Sequence, residues 1–268
     1  MVGVRRVVDV HAHAVPLPLL TWLEQHGRAD LSGTERGVVV IDPEVSGVAP
    51  GTALPLPASM HRPELRLEEM AATGVTHEAV SLPPFLFATR SLDEALVRET
   101  TARGNDALAS YCSHDPGHLL ALGNVPVGWP SAAEEARRCL DELGMRGVVI
   151  GSRGAGRELD DPANDDLWAL VSERQAMVFL HPSAAPDPQR LSDFWLPQLL
   201  GYPMETAIAA ARLVFGGVVE RHPFPLVLAH GGGCLPAVRG RLTMGWGPQA
   251  RRPHDAGPAG RAARAALL

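Results

Sequence analysis

A chain of 268 residues, 46% hydrophobic and carrying a formal charge of −6, has enough apolar material for one large domain or two small ones. The charge argues against a nucleic-acid binder, and no apolar run is long enough to cross a membrane. All 24 basic residues are arginine, which excludes a Schiff-base lysine, a Walker-type lysine and a carbamylated lysine bridging two metals.

Residues 4–11 form the first predicted strand, a β-branched run leading into "VVDVHAH". Residues two apart on an extended segment share a side, so His11 and His13 project together, and two neutral imidazoles can hold a metal ion. Asp9 and the two histidines interrupt the apolar stretch, so no secretory leader is expected and a cytoplasmic location is the default. A helix over 17–26 follows. Residues 30–59, rich in Gly and Pro, read as a long loop or small insertion. Then come a helix over Pro63–Thr73, a strand over 78–82, a helix over 91–111, a strand over 119–125 and a helix over 131–143. Ser131 with Glu134 forms a capping box there, and Gly144 closes that helix. The strand Gly147–Ile150, a helix over 164–175, a strand over 177–181, a helix over 204–221 and a strand over 226–230 complete the series.

This alternation is the signature of βα units around a parallel sheet, and continuous runs such as "MVFL" and "PLVLA" suit strands buried on both faces. Three strands end on histidine, in "VVDVHAH", "MVFLHP" and "PLVLAHGGG". In a parallel barrel all C-terminal strand ends open on one face, where active sites are built. His11, His13, His181 and His230 therefore converge on one mouth, whereas His26, His61, His77, His114, His118, His222 and His254 read as solvated surface. "GSRGAGR" over 151–157 lacks the lysine of a phosphate loop and reads as a plain connection. Cys112, Cys139 and Cys234 show no disulfide or zinc-ribbon spacing and read as reduced thiols in packed positions.

The motifs "DVHAHAVP", "GVVIGSRGAGRELDDP", "VFLHP" and "LAHGGG", in that order, resemble the amidohydrolase-related proteins of the aminocarboxymuconate-semialdehyde decarboxylase type. "RPELRLEEMAATGVTHEAVSLPP" resembles that family's second-strand region. The resemblance implies a TIM-barrel-like metal-dependent hydrolase fold with one divalent ion, zinc or alternatively manganese. It implies metal ligation by His11, His13 and His181, and a catalytic role for His230 beside the ion. The implied reaction is decarboxylation of a small aromatic or unsaturated carboxylic acid. Metal-dependent hydrolysis is the alternative, and an inactive or truncated barrel with only a binding role is a second. A divalent ion lowers the pKa of bound water from 15.7 towards about 7, and a histidine titrating near neutrality can exchange a proton beside it.

A carboxylate substrate calls for a cation. Arg62, Arg66 and Arg153 are weak candidates, with surface placement the plainer fate of each. The arginine that the decarboxylase uses in its first long loop has no counterpart in "GTALPLPASM", so aminocarboxymuconate semialdehyde is not the expected substrate. The family's fourth ligand, an aspartate after the eighth strand, is also missing: beyond His230 the acid available is Asp255, with no strand before it. Six βα units are recognisable within residues 1–244, with the last two expected to be missing or replaced. The Gly, Pro, Ala and Arg-rich tail at 245–268 is expected to be disordered. A frame change near the end, closure of the sheet by another subunit in a homo-oligomer, and a three-histidine variant of the site are the three accounts of that departure.

Overall fold

Six short stretches of mostly apolar sequence form one parallel sheet in the computed structural model, which describes residues 6–245. They are β1 (Val8–His13), β2 (His77–Ser81), β3 (Leu119–Asn124), β4 (Gly147–Ile150), β5 (Met177–Leu180) and β6 (Leu226–Leu228). Each pairs with its successor in sequence order, all in parallel. Parallel neighbours require crossovers, and the helices supply them: α1 (Leu17–Gln25), α2 (Pro63–Thr73), α3 (Glu94–Cys112), α4 (Ala132–Arg137), α5 (Asp165–Glu173) and α6 (Tyr202–Phe215), with α7 (Leu235–Gly245) after the last strand. The architecture is an open, curled portion of a (β/α) barrel, in agreement with the six units read from the sequence.

Local chemistry sets most boundaries. Proline near the first position opens α1, α2 and α6, where its fixed φ suits a helix start. The Asp93 side chain accepts the Leu96 amide at 3.1 Å and caps α3. Leu19, Leu20, Trp22 and Leu23 of α1 join β1, β2 and α3 in one core, while Val148, Ile150, Trp168, Leu180 and Leu213 anchor a second core around β4, β5 and the helices α5 and α6.

Several expectations change. The first strand runs to His13, so both histidines lie within it. Ser131 has helical φ and ψ, its side chain caps nothing, and the helix it precedes turns π-helical over residues 138–142. The helix predicted over 204–221 begins at Tyr202 and breaks at Gly216 and Gly217, the latter at φ 71°, leaving a separate turn at Val218–Arg221. Inside the region 30–59, Val38–Ile41 pairs antiparallel with Ala29–Asp30 and with Ala53–Pro55, so that region is a small sheet. Cys112 and Cys139 are buried, but Cys234 is exposed.

Among the described residues β1 and β6 are the outer strands of the large sheet, and Val8 and Val10 on β1 are 50% and 39% exposed. No described helix is long and apolar enough to cross a membrane. The predicted tail beyond Gly245 and Asp255 lie outside the described residues.

Candidate metal centre

Histidines from three strand ends meet at the C-terminal mouth of the sheet. His11 and His13 are on β1, His181 directly follows β5, and His230 lies two residues beyond β6. The His11 ring centroid is 5.1 Å from His13, 4.8 Å from His181 and 5.6 Å from His230. His181 is 5.1 Å from His13 and 5.0 Å from His230. One nitrogen each of His11, His181 and His230 can be chosen so that all three lie within 4.8 Å of one another. His13 stands beside this trio, with its Nδ1 3.1 Å from the Ser81 hydroxyl on β2. The structure thus brings all four predicted histidines together, and its tightest trio contains His230 in place of His13.

Phe179 closes the site from beneath. It precedes His181 by two residues on the same face of β5, is buried, and its ring lies 5.3 Å from His11 and 5.9 Å from His181. Burial dominates the electrostatics. It pushes His181 down to about 2 and His13 to about 3, with a smaller contribution from the neighbouring imidazole in each case. Burial also lowers His11 and His230, the two rings partly open to solvent, although Asp9 opposes the shift at His11. All four are neutral at pH 7, the state in which an imidazole nitrogen can bind a cation.

The surroundings orient the rings. His181 Nδ1 lies 2.9 Å from the carbonyl of Pro182, so Nδ1 carries the proton and Nε2 is left with its lone pair. His230 Nδ1 lies 3.0 Å from the Thr206 hydroxyl on α6. A donor set of neutral, oriented imidazoles fits a divalent transition-metal ion such as zinc.

The arginine expectations separate. Arg62 and Arg153 are exposed. Arg66 is instead buried at 8% exposure, bonded to Glu78 at 2.6 Å, to the Tyr111 hydroxyl at 3.0 Å and to the backbone carbonyl of His13. It buttresses the end of β1 from behind. Sequence reasoning missed Phe179, Tyr202, Thr206 and the Arg66–Glu78 pair; only Phe179, at the i−2 position to His181, carried a usable local signal.

A family model described as Amidohydrolase matches residues 8–259. The chain is 33% identical over 186 residues to 2-amino-3-carboxymuconate-6-semialdehyde decarboxylase of Dictyostelium discoideum, a match covering 69% of this chain and 52% of that protein. It is 32% identical over 193 residues to gamma-resorcylate decarboxylase of Rhizobium sp. (strain MTP-10005), covering 67% of this chain and 58% of that one. The chain therefore spans a little over half the length of these two relatives. Among solved structures, a dihydroxybenzoic acid decarboxylase from Polaromonas sp. JS666 with bound manganese and the inhibitor 2-nitroresorcinol superposes with a TM-score of 0.65 at 22% identity, covering 88% of this chain and 69% of that one.

Proposed function

The chain belongs to the amidohydrolase family, and on that premise we propose that it is a metal-dependent carboxy-lyase acting on a small aromatic or unsaturated carboxylic acid. The observation that carries the reading is the meeting of neutral imidazoles from β1, β5 and β6, with His11, His181 and His230 offering ligand atoms within 4.8 Å of one another. The decarboxylases among its relatives support the reaction class. His11, His13 and His181 are the proposed ligands, with His230 next to them as a fourth donor in the resting state and as the catalytic residue during turnover.

When bound, one divalent ion supplies Lewis acidity for a carboxylate or neighbouring hydroxyl oxygen of the substrate. Imidazole donors suit zinc, and the manganese of the Polaromonas structure supports manganese as the alternative. The remaining work falls to the chain. His13 and His181, held neutral by burial, keep positive charge out of the pocket where a cation must sit. Phe179, buried against His11 and His181, gives the pocket an apolar wall on that side. Loss of carbon dioxide leaves an electron pair on the ring or vinyl carbon, and a proton must replace it for the atoms to balance. His230, partly open to solvent at the mouth, is the residue assigned to take up that proton from water and deliver it to the carbon, since a bound carboxylate brings none.

Metal analysis tests the centre and carbon dioxide release tests the reaction. One zinc or manganese per chain is expected, lost in the His11→Ala, His13→Ala double variant. The loaded protein is expected to release carbon dioxide from at least one acid in a panel of hydroxybenzoates and unsaturated acids. A folded protein that takes up neither metal overturns the reading. Opening of lactones without release of carbon dioxide from any acid moves it to the hydrolases.

A further inference from the structure

Thr206 is fully buried on the second turn of α6, beneath the segment that carries His230. Its hydroxyl oxygen lies 2.9 Å from the backbone carbonyl of Tyr202, the acceptor one turn earlier on the same helix. A hydroxyl owns one proton, and a carbonyl can only accept, so that proton points to Tyr202. The same oxygen lies 3.0 Å from His230 Nδ1. With its proton already committed, it can only accept there, and Nδ1 must donate. A neutral imidazole has a single N–H, so Nε2 of His230 is left as a bare lone pair.

Other contacts hold this arrangement still. The Tyr202 ring lies 6.3 Å from the imidazole at an interplanar angle of 29°. His230 sits in the left-handed backbone region at φ 56° and ψ 32°, a conformation histidine adopts more readily than most side chains, and Gly231 to Gly233 continue with positive φ. At Gly233 any side chain would run into the carbonyl of Pro203, so the loop lies directly on the first turn of α6.

We infer that Thr206 is a positioning residue: by accepting from Nδ1 while donating to Tyr202, it fixes His230 in the tautomer that keeps the lone pair on Nε2, on a ring 5.0 Å from His181 and 5.6 Å from His11. The inference deepens the proposed function, because it makes His230 a proton acceptor or ligand in the resting state and requires it to gain a proton before giving one. It rests on that reading only for its consequence, since the tautomer exists with or without an ion.

Nitrogen-15 NMR of the metal-free full chain tests it, with long-range proton–nitrogen correlations of the imidazoles recorded where the rings are neutral, and the His230 signals assigned by their loss in His230→Asn. The expected spectrum places the proton on Nδ1 in the wild type and in Thr206→Ser, and shows a tautomer mixture or an Nε2 proton in Thr206→Val. Zinc affinity is expected to fall about 10–100-fold in Thr206→Val and to be restored in Thr206→Ser, the range usual for lost outer-sphere bonds. An Nε2 proton in the wild type overturns the inference, as does an unchanged Nδ1 tautomer in Thr206→Val. Should Thr206→Val fail to fold, the wild-type and Thr206→Ser spectra decide it. A folded chain that binds neither zinc nor manganese would overturn the decarboxylase reading and leave the NMR result to stand by itself.

Discussion

Arg66 holds the backbone at His13, whereas Thr206 holds the side chain of His230. The Arg66 guanidinium crosses from α2 to β2, pairs with Glu78 at 2.6 Å and reaches the carbonyl of His13. Removing one partner of a buried pair strands the other, so Arg66→Met is expected to cost about 3–5 kcal/mol in urea unfolding. The double change Arg66→Met, Glu78→Leu is expected to recover most of that loss. Glu205, the neighbour of Thr206, is a different case. Burial pushes its carboxyl up, and the charge of nearby Glu158 adds to the effect. A raised folded value means the unfolded state holds fewer protons, so this group's contribution to stability is complete below the ordinary carboxylate range and is lost as pH rises through the folded value. Glu205→Gln is therefore expected to raise the melting temperature at pH 8 and to lose that advantage near pH 4. The imidazoles were legible because period-two geometry and strand-end placement are local signals. Arg66 was not: in "RPELRLEEM" its spacing is compatible with a solvated face, and only the fold reveals Glu78 opposite it.

Among the elements, the strands were legible to within about two residues, apart from the start of β1, which was placed at residue 4 and lies at Val8, and least so where backbone hydrogen bonds rather than composition decide. The sheet at 29–55 is made of strands of two to four residues, too short for any alternation to register. Ser131 with Glu134 satisfied the capping pattern, but Ser131 has helical backbone angles, which leave its hydroxyl no amide to accept from. The turn after β6 is the element on which the site depends most. Gly233 at φ 62° leaves no room for a Cβ against Pro203, so Gly233→Ala must shift the loop away from α6. Expected are a stability loss of about 1–3 kcal/mol by thermal unfolding and weaker zinc binding by calorimetry, because His230 would move with the loop. Gly240→Ala on α7, where a Cβ meets nothing within 4 Å, is the control expected to change neither.

For the molecule as a whole, the six parallel strands and the convergence of distant histidines were legible, whereas the fate of the tail lies outside the described residues. If the native state alone binds the ion, zinc at 100 times its dissociation constant is expected to add about 2.7 kcal/mol to unfolding stability, reversed by chelation. The gain is expected to vanish in the His11→Ala, His13→Ala variant, and a gain that survives there would place the ion elsewhere. The site also lies across the opening of the curled sheet. His11 belongs to one outer strand and His230 follows the other, and their rings come within 5.6 Å although more than two hundred residues separate them in sequence. A cation gripped by both would act as a buckle on a belt, joining margins that no ladder of amide bonds joins among the described residues. Amide exchange should then slow most at the two margins, Val8–His13 and Leu226–Leu228, and least in the middle of the strap, so that one ion fastens the scaffold as well as equipping it for chemistry.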